Sequence, residues 1–260
     1  MVKIAVLKLT LKSEKLHRDT DVNILCPYFY DNRGGKLNTV FSAEPKKVLY
    51  LIHGGTDDYS CWVNNTMISV FLERYPNLLI VMPTVYDFHS MAQEDYFHYV
   101  AEELPTYIER WFCVSDNRKD RFIGGLSMGG YFAYRTALAY PDRYLCVGSF
   151  SSPLDIEEDM RLRHEGMTDY PAPEVVRDNP QRDLFSMLTE RIKKGNLLPE
   201  MFLVCGTEDM TYPLNRKMKA FMEAHNLTHT YMEWPGDHNW VFWNEAVEKF
   251  LEWLPLKGEK

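Results

Sequence analysis

The chain has 260 residues, 45% hydrophobic and 14% aromatic, with 29 Lys and Arg against 37 Asp and Glu for a formal net charge of −8. This excludes a disordered or collagen-like chain and leaves enough material for one large domain with its own core. With net negative charge and no basic run, nucleic acid and anionic membrane are poor partners.

The N-terminal stretch MVKIAVLKLTLKSEK carries a lysine every few residues. It has no apolar run long enough for a signal-peptide core or a spanning helix, so a cytoplasmic, unexported chain is expected. The cysteines, Cys26, Cys61, Cys113, Cys146 and Cys205, are odd in number, far apart and without a CxxC pair. They read as reduced core residues.

In chain order, residues 2–11 and 21–26 alternate or run apolar as strands do, and 31–36 reads as a turn. Short apolar runs of the buried-strand kind follow at 47–52, 78–82, 121–123, 144–150, 201–205 and 230–234. Helical spacing appears at 66–75, 95–112, 128–139, 214–225 and 244–254, with Pro105 expected to kink or interrupt the second. Strands alternating with helices predict an α/β fold, a mostly parallel central sheet with helices on both faces. Residues 152–199, rich in charge and proline, break the rhythm and read as a cap-like insertion over the sheet's C-terminal edge. No repeat or linker divides residues 1–260, so a single domain is expected.

The stretch Arg121-Phe-Ile-Gly-Gly-Leu-Ser127-Met-Gly-Gly-Tyr131 runs an apolar strand through G-x-S-x-G into a helix. That context makes a nucleophile elbow: Gly125 and Gly129 leave room for a sharp turn that lifts the Ser127 hydroxyl to a helix N-terminus. A serine hydroxyl needs a base within reach and an acid to orient that base. After such an elbow the chain order is serine, acid, histidine. Among His164, His225, His229 and His238, only His238 follows a strand through a glycine-containing turn and precedes the last helix. His225 and His229 have metal-like spacing, but His225 ends a helix and no third ligand is near in sequence.

The acid should follow the strand at 201–205, where Gly206-Thr-Glu208-Asp209 offers two carboxylates. Asp209 stands at the better offset, Glu208 is expected to face solvent, and Asp237 is the further candidate beside the histidine. Two backbone N–H groups should receive an oxyanion. Met128 supplies one by position, and Gly55 in His53-Gly54-Gly55-Thr56 the other, with Thr56 as its alternative. His53 itself is expected to brace the loop. Of the aromatics near this edge, Trp62, Tyr131, Trp240 and Trp243, the two indoles of Trp62 and Trp240 are expected beside substrate.

Gly-Leu-Ser127-Met-Gly-Gly-Tyr, His53-Gly-Gly, Gly206-Thr-Glu-Asp209 and Gly236-Asp-His238-Asn-Trp together resemble the esterase D or tributyrin-esterase family of α/β-hydrolases, over nearly the whole chain. The resemblance implies a single-domain serine esterase for short acyl esters, with acetyl esterases, feruloyl esterases and S-formylglutathione hydrolases among its relatives. It puts Ser127, Asp209 and His238 on triad positions, and Met128 and the residue after His53-Gly54 on oxyanion positions. No metal or cofactor is implied, the expected partner is a small-molecule ester, and a homo-oligomer is left open. The insertion departs from the family pattern, and its charged start, residues 155–164, lacks the apolar face a lipase would present. Acetyl or feruloyl esters of plant-type oligosaccharides are therefore the expected substrates. The rivals are a thioesterase of the S-formylglutathione hydrolase type, an acyltransferase with the same triad, and a binding protein that has kept the fold and lost catalysis.

Overall fold

The computed structural model describes residues 2–30, 37–38, 45–85, 94–164 and 174–256. The turn expected at 31–36 and part of the insertion, 165–173, lie outside them. One sheet organises the chain, in the order β1-β2-β5-β4-β6-β7-β8-β9, with β3 (Leu37–Asn38) paired to β2. Strands β1 (Val2–Ser13) and β2 (Arg18–Tyr30) form an antiparallel hairpin, and β2 joins β5 (Leu78–Pro83) antiparallel. From β5 onward β4 (Lys47–Ile52), β6 (Arg121–Leu126), β7 (Cys146–Phe150), β8 (Glu200–Gly206) and β9 (His229–Trp234) pair in parallel.

The alternation of β4 explains why the sheet is covered twice. Val48, Tyr50 and Ile52 enter one buried cluster, and Leu49 and Leu51 enter the other. Side chains alternate across a strand, so a continuous apolar run serves both faces. Helix α5 (Met128–Ala139) fills the first face with Tyr131, Phe132 and Tyr134, and α10 (Trp240–Trp253) fills the second with Phe242, Val247 and Phe250. Each such side chain, fully buried, contributes roughly 1.5–3 kcal/mol. After β4 the chain adds β5 on one side and then crosses to β6 on the other. Open α/β sheets bind ligands beyond the carboxyl ends of strands at such a reversal.

The helix expected at 66–75 is two short ones, α1 (Cys61–Asn65) and α2 (Ile68–Leu72). Thr66 causes the break: its hydroxyl donates back to Trp62 O at 2.5 Å and accepts from Ile68 N at 3.2 Å, while its backbone is extended. The stretch at 95–112 comprises α3 (Glu94–His98), a π-helical turn (Tyr99–Glu103) and α4 (Leu104–Trp111). Pro105 has no N–H for the carbonyl four residues back, Ala101 O, and Arg143 Nη1 donates to that oxygen instead at 2.8 Å.

The described residues between β7 and β8 hold α6 (Ile156–His164), α7 (Glu174–Arg177) and α8 (Leu184–Lys194). Asp183 caps α8, accepting from Phe185 N and Ser186 N, and Gly195 ends it in a left-handed conformation. This segment lies on α5: Tyr131 Oη donates to Arg182 O at 2.8 Å, and Arg191 Nε to Leu138 O at 2.5 Å. Helix α9 (Tyr212–Ala224) follows β8. Four cysteines are buried, but Cys113 is exposed, because the link from α4 to β6 runs along the surface. Among the described residues no helix is long and apolar enough to cross a membrane.

Candidate active site

Strand β6 delivers Ser127 in a strained turn, φ 49° and ψ −124°, with its N–H donated to Phe150 O at 2.8 Å. A Cβ at Gly125 would stand 2.5 Å from the Gly129 carbonyl carbon and 2.7 Å from Ile52 O, so the turn closes only over glycine. The hydroxyl therefore sits at the start of α5, beside the sheet's reversal point.

The loops after β8 and β9 are fastened to each other by backbone bonds, Thr207 N to Trp234 O at 3.1 Å and Glu208 N to Gly236 O at 3.0 Å. Asn239 ends the second loop by accepting from Val241 N and Phe242 N, which starts α10. Between them the two loops face His238 with Asp209. His238 Nδ1 lies 2.9 Å from Asp209 Oδ2 and 3.0 Å from Oδ1, and His238 Nε2 lies 3.1 Å from Ser127 Oγ. The carboxylate at Nδ1 favours the tautomer with Nδ1–H toward Asp209, which leaves Nε2 to face the Ser127 hydroxyl.

Asp209 is 4% exposed. Burial alone would raise its carboxyl, but the hydrogen bond and charge of His238 and the Thr211 backbone N–H outweigh that, so the carboxyl is held below its ordinary value. Thr211 N and Thr211 Oγ1 both donate to Asp209 Oδ1, at 2.7 and 2.8 Å. Thr211 did not emerge from the sequence, although an Asp followed two positions on by Thr is a local turn signal. The other carboxylates are turned away from the ring: Asp237 Oδ1 accepts from the His238 backbone N–H at 2.7 Å, and Glu208 is exposed.

His53 is buried, its Nε2 accepting from Val85 N at 2.8 Å and its Nδ1–H directed at Gly54 O, 2.5 Å away. Burial pulls its pKa down to about 4, so the ring is neutral and braces the loop after β4. That loop lies against the elbow, since a methyl at Gly54 would meet Leu126 Cδ1 at 2.5 Å and Ser127 Cβ at 3.5 Å. Gly55 follows Gly54 in this loop, and Met128 follows Ser127 at the first position of α5.

Trp62 corrects the expectation of an indole beside substrate. It is 0% exposed, packed edge-to-face on Phe150 and on Trp240 with ring centroids 6.1 and 5.3 Å apart, and so belongs to the core. Trp240 is half-buried and passes contact to Trp243 at 5.2 Å, which meets the His238 ring edge-on at 4.9 Å. Tyr131 is likewise buried. Nδ1 of His225 is spent on Phe221 O and Nδ1 of His229 on Leu227 O, each at 2.8 Å. Among the described residues no group of three or more His, Cys, Asp or Glu is placed to hold a metal.

An α/β-hydrolase sheet with a serine, an imidazole and a carboxylate in line at its reversal point defines a serine hydrolase acting on carboxylic ester bonds. The chain belongs to the Esterase family, whose model matches residues 13–254. It is 25% identical over 264 residues to an acetyl esterase of Caldicellulosiruptor saccharolyticus, covering 96% of this chain and 98% of the relative. Two Staphylococcus aureus structures match it in fold, each over 98% of this chain. One is FphF, a fluorophosphonate-binding serine hydrolase (TM-score 0.84, 23% identity, 100% of that chain). The other is the S-formylglutathione hydrolase FrmB (TM-score 0.81, 22% identity, 99% of that chain). A ferulic acid esterase matches with a TM-score of 0.78 at 19% identity, over 98% of both chains.

Proposed function

We propose that Ser127 is the nucleophile, His238 the general base and acid, and Asp209 the orienting carboxylate of an acyl-enzyme mechanism. The observation that carries this reading is the unbroken line of hydrogen-bonding atoms from Asp209 through both nitrogens of His238 to Ser127 Oγ. Ser127 passes its proton to His238 Nε2 as its oxygen bonds to the ester carbonyl carbon. The Gly55 and Met128 amides receive the oxyanion. The tetrahedral adduct collapses, the alcohol leaves with the proton from His238, and water repeats the cycle to release the acid.

The substrates we propose are esters of short acyl groups, acetyl first and feruloyl second, on sugar-type alcohols. The acetyl esterase relative, the fold shared with a ferulic acid esterase and the charged surface of α6 support this choice. The described part of 152–199 then borders the site as a cap, a role supported by the reach of Arg163 Nη2 on α6 to within 3.9 Å of Met210 Sδ, next to Asp209. A panel of acetyl, butyryl, octanoyl and feruloyl esters with S-formylglutathione, run against a Ser127→Ala control, tests the reading. Fast turnover of S-formylglutathione with slow oxygen esters would favour a thioesterase of the FrmB kind. No turnover above the control would leave a binding protein.

A further inference from the structure

An acetyl group offers no hydrogen-bond donor, so an acetyl ester is selected through its alcohol by groups near Ser127. One half-buried carboxylate there has no hydrogen-bond or ion-pair partner among the described residues. Asp57 follows the oxyanion loop by two residues, and a methyl placed on Gly54 would lie 3.5 Å from Asp57 Oδ2 and 3.5 Å from Ser127 Cβ. The carboxylate oxygen and Ser127 Cβ therefore lie no more than about 7 Å apart.

The other half-buried or buried acids nearby are committed, and Glu208 is exposed. Asp58 Oδ1 accepts from Ser60 N and Ser60 Oγ, both at 2.7 Å. Asp209 is held by His238 and Thr211. Asp159, which interacts through space with His238, is paired with Arg163 Nε at 2.9 Å. Lys8, at the nearby Tyr59 ring, pairs with Asp21 at 3.1 Å. Asp57 alone of this group has no hydrogen-bond or ion-pair partner among the described residues, although it is half-buried. Burial first, and the Asp58 charge second, push its carboxyl up to about 6. A half-buried carboxylate without a donor is destabilised, and the developing oxyanion would add a like charge nearby.

We propose that Asp57 is a specificity-determining residue that accepts a hydrogen bond from a hydroxyl of the substrate's alcohol moiety and rejects anionic esters. The inference rests on Ser127 being the nucleophile. It names the substrate class as esters of hydroxyl-bearing alcohols, a sugar or glycerol, over esters of plain alkanols or hydroxy acids.

The test measures kcat/KM for methyl 6-O-acetylglucoside, butyl acetate and the acetoxyacetate anion with the wild type, Asp57→Asn and Asp57→Leu. The preference for the glucoside over butyl acetate should fall about tenfold in Asp57→Leu, the worth of one hydrogen bond to a charged acceptor. The relative rate on acetoxyacetate should rise about tenfold in both variants. Asp57→Asn keeps shape and polarity while removing charge, so it carries the charge test if Asp57→Leu does not fold. Ratios within twofold of wild type in a folded, active variant would overturn the role of Asp57 and leave the esterase reading standing. Wild type no faster than Ser127→Ala on all three esters would instead overturn the esterase reading itself.

Discussion

Thr211 donates twice to a single oxygen of Asp209, through its backbone N–H at 2.7 Å and its hydroxyl at 2.8 Å. The carboxylate that faces His238 is thus gripped from behind by its own loop. Asn215 continues the chain, with Nδ2 at 2.9 Å from both Thr211 O and Ser152 O, which ties the loop after β8 to the one after β7.

Removing one of these bonds should loosen the acid without removing it. Thr211→Val is expected to lower kcat about tenfold with KM little changed, and Thr211→Ser should restore most of it. Steady-state kinetics with a melting curve for each variant decide the matter. A rise in KM at constant kcat would point to a substrate contact instead.

The roles within the hydrogen-bonded line predict a steep and uneven mutational response. Ser127→Ala and His238→Ala should each lower kcat by roughly 10⁴ to 10⁶, and Asp209→Asn by somewhat less. Glu208→Gln and Asp237→Asn should cost little, because Glu208 is exposed and Asp237 faces a backbone amide. Should Glu208→Gln prove the more damaging in a folded protein, the acid has been misassigned.

Burial separates two tryptophans that touch each other. Trp62→Ala should destabilise by about 3–5 kcal/mol in urea unfolding, as truncation of a core aromatic does. Trp240→Ala, at a half-buried position, should cost less and express itself mainly in KM. Equal stability losses in the two variants would contradict this division.

What the sequence made legible here are features that short-range chemistry dictates. The glycines at 125 and 129 announce the elbow because nothing larger fits, and the apolar run at 47–52 announces a strand buried on both faces. Asp209 and His238 follow from their offsets after strands. Other features depend on partners distant in the chain. Trp62 reads like any indole near the site until Phe150 and Trp240 close around it. The break at Thr66 depends on which carbonyl its hydroxyl finds, and whether a donor reaches Asp57 depends on side chains that only the fold brings near it.

His53 links the loop after β4 to stability through protons. In the folded chain burial pulls its pKa down to about 4, whereas an unfolded histidine titrates near 6.5. Between those values the unfolded state binds a proton that the folded state refuses, so stability rises with pH across this window. The contribution is fully present above about pH 6.5 and is lost as pH falls toward 4, amounting to about 3 kcal/mol in all and about 2 kcal/mol between pH 7 and 5. The depressed carboxyl of Asp209 acts in the same sense but lower, its contribution being lost only as pH falls below about 4. Urea unfolding at pH 7 and 5 separates the two residues, because of these two only His53 titrates between its folded and unfolded values in that interval, and the raised carboxyl of Asp57 cancels in the comparison with a His53 variant. The wild type should lose about 2 kcal/mol more than His53→Gln between pH 7 and 5, even though the variant starts less stable through loss of the bond from Val85 N. Parallel pH dependences in the two proteins would mean that His53 is not held neutral in the folded loop.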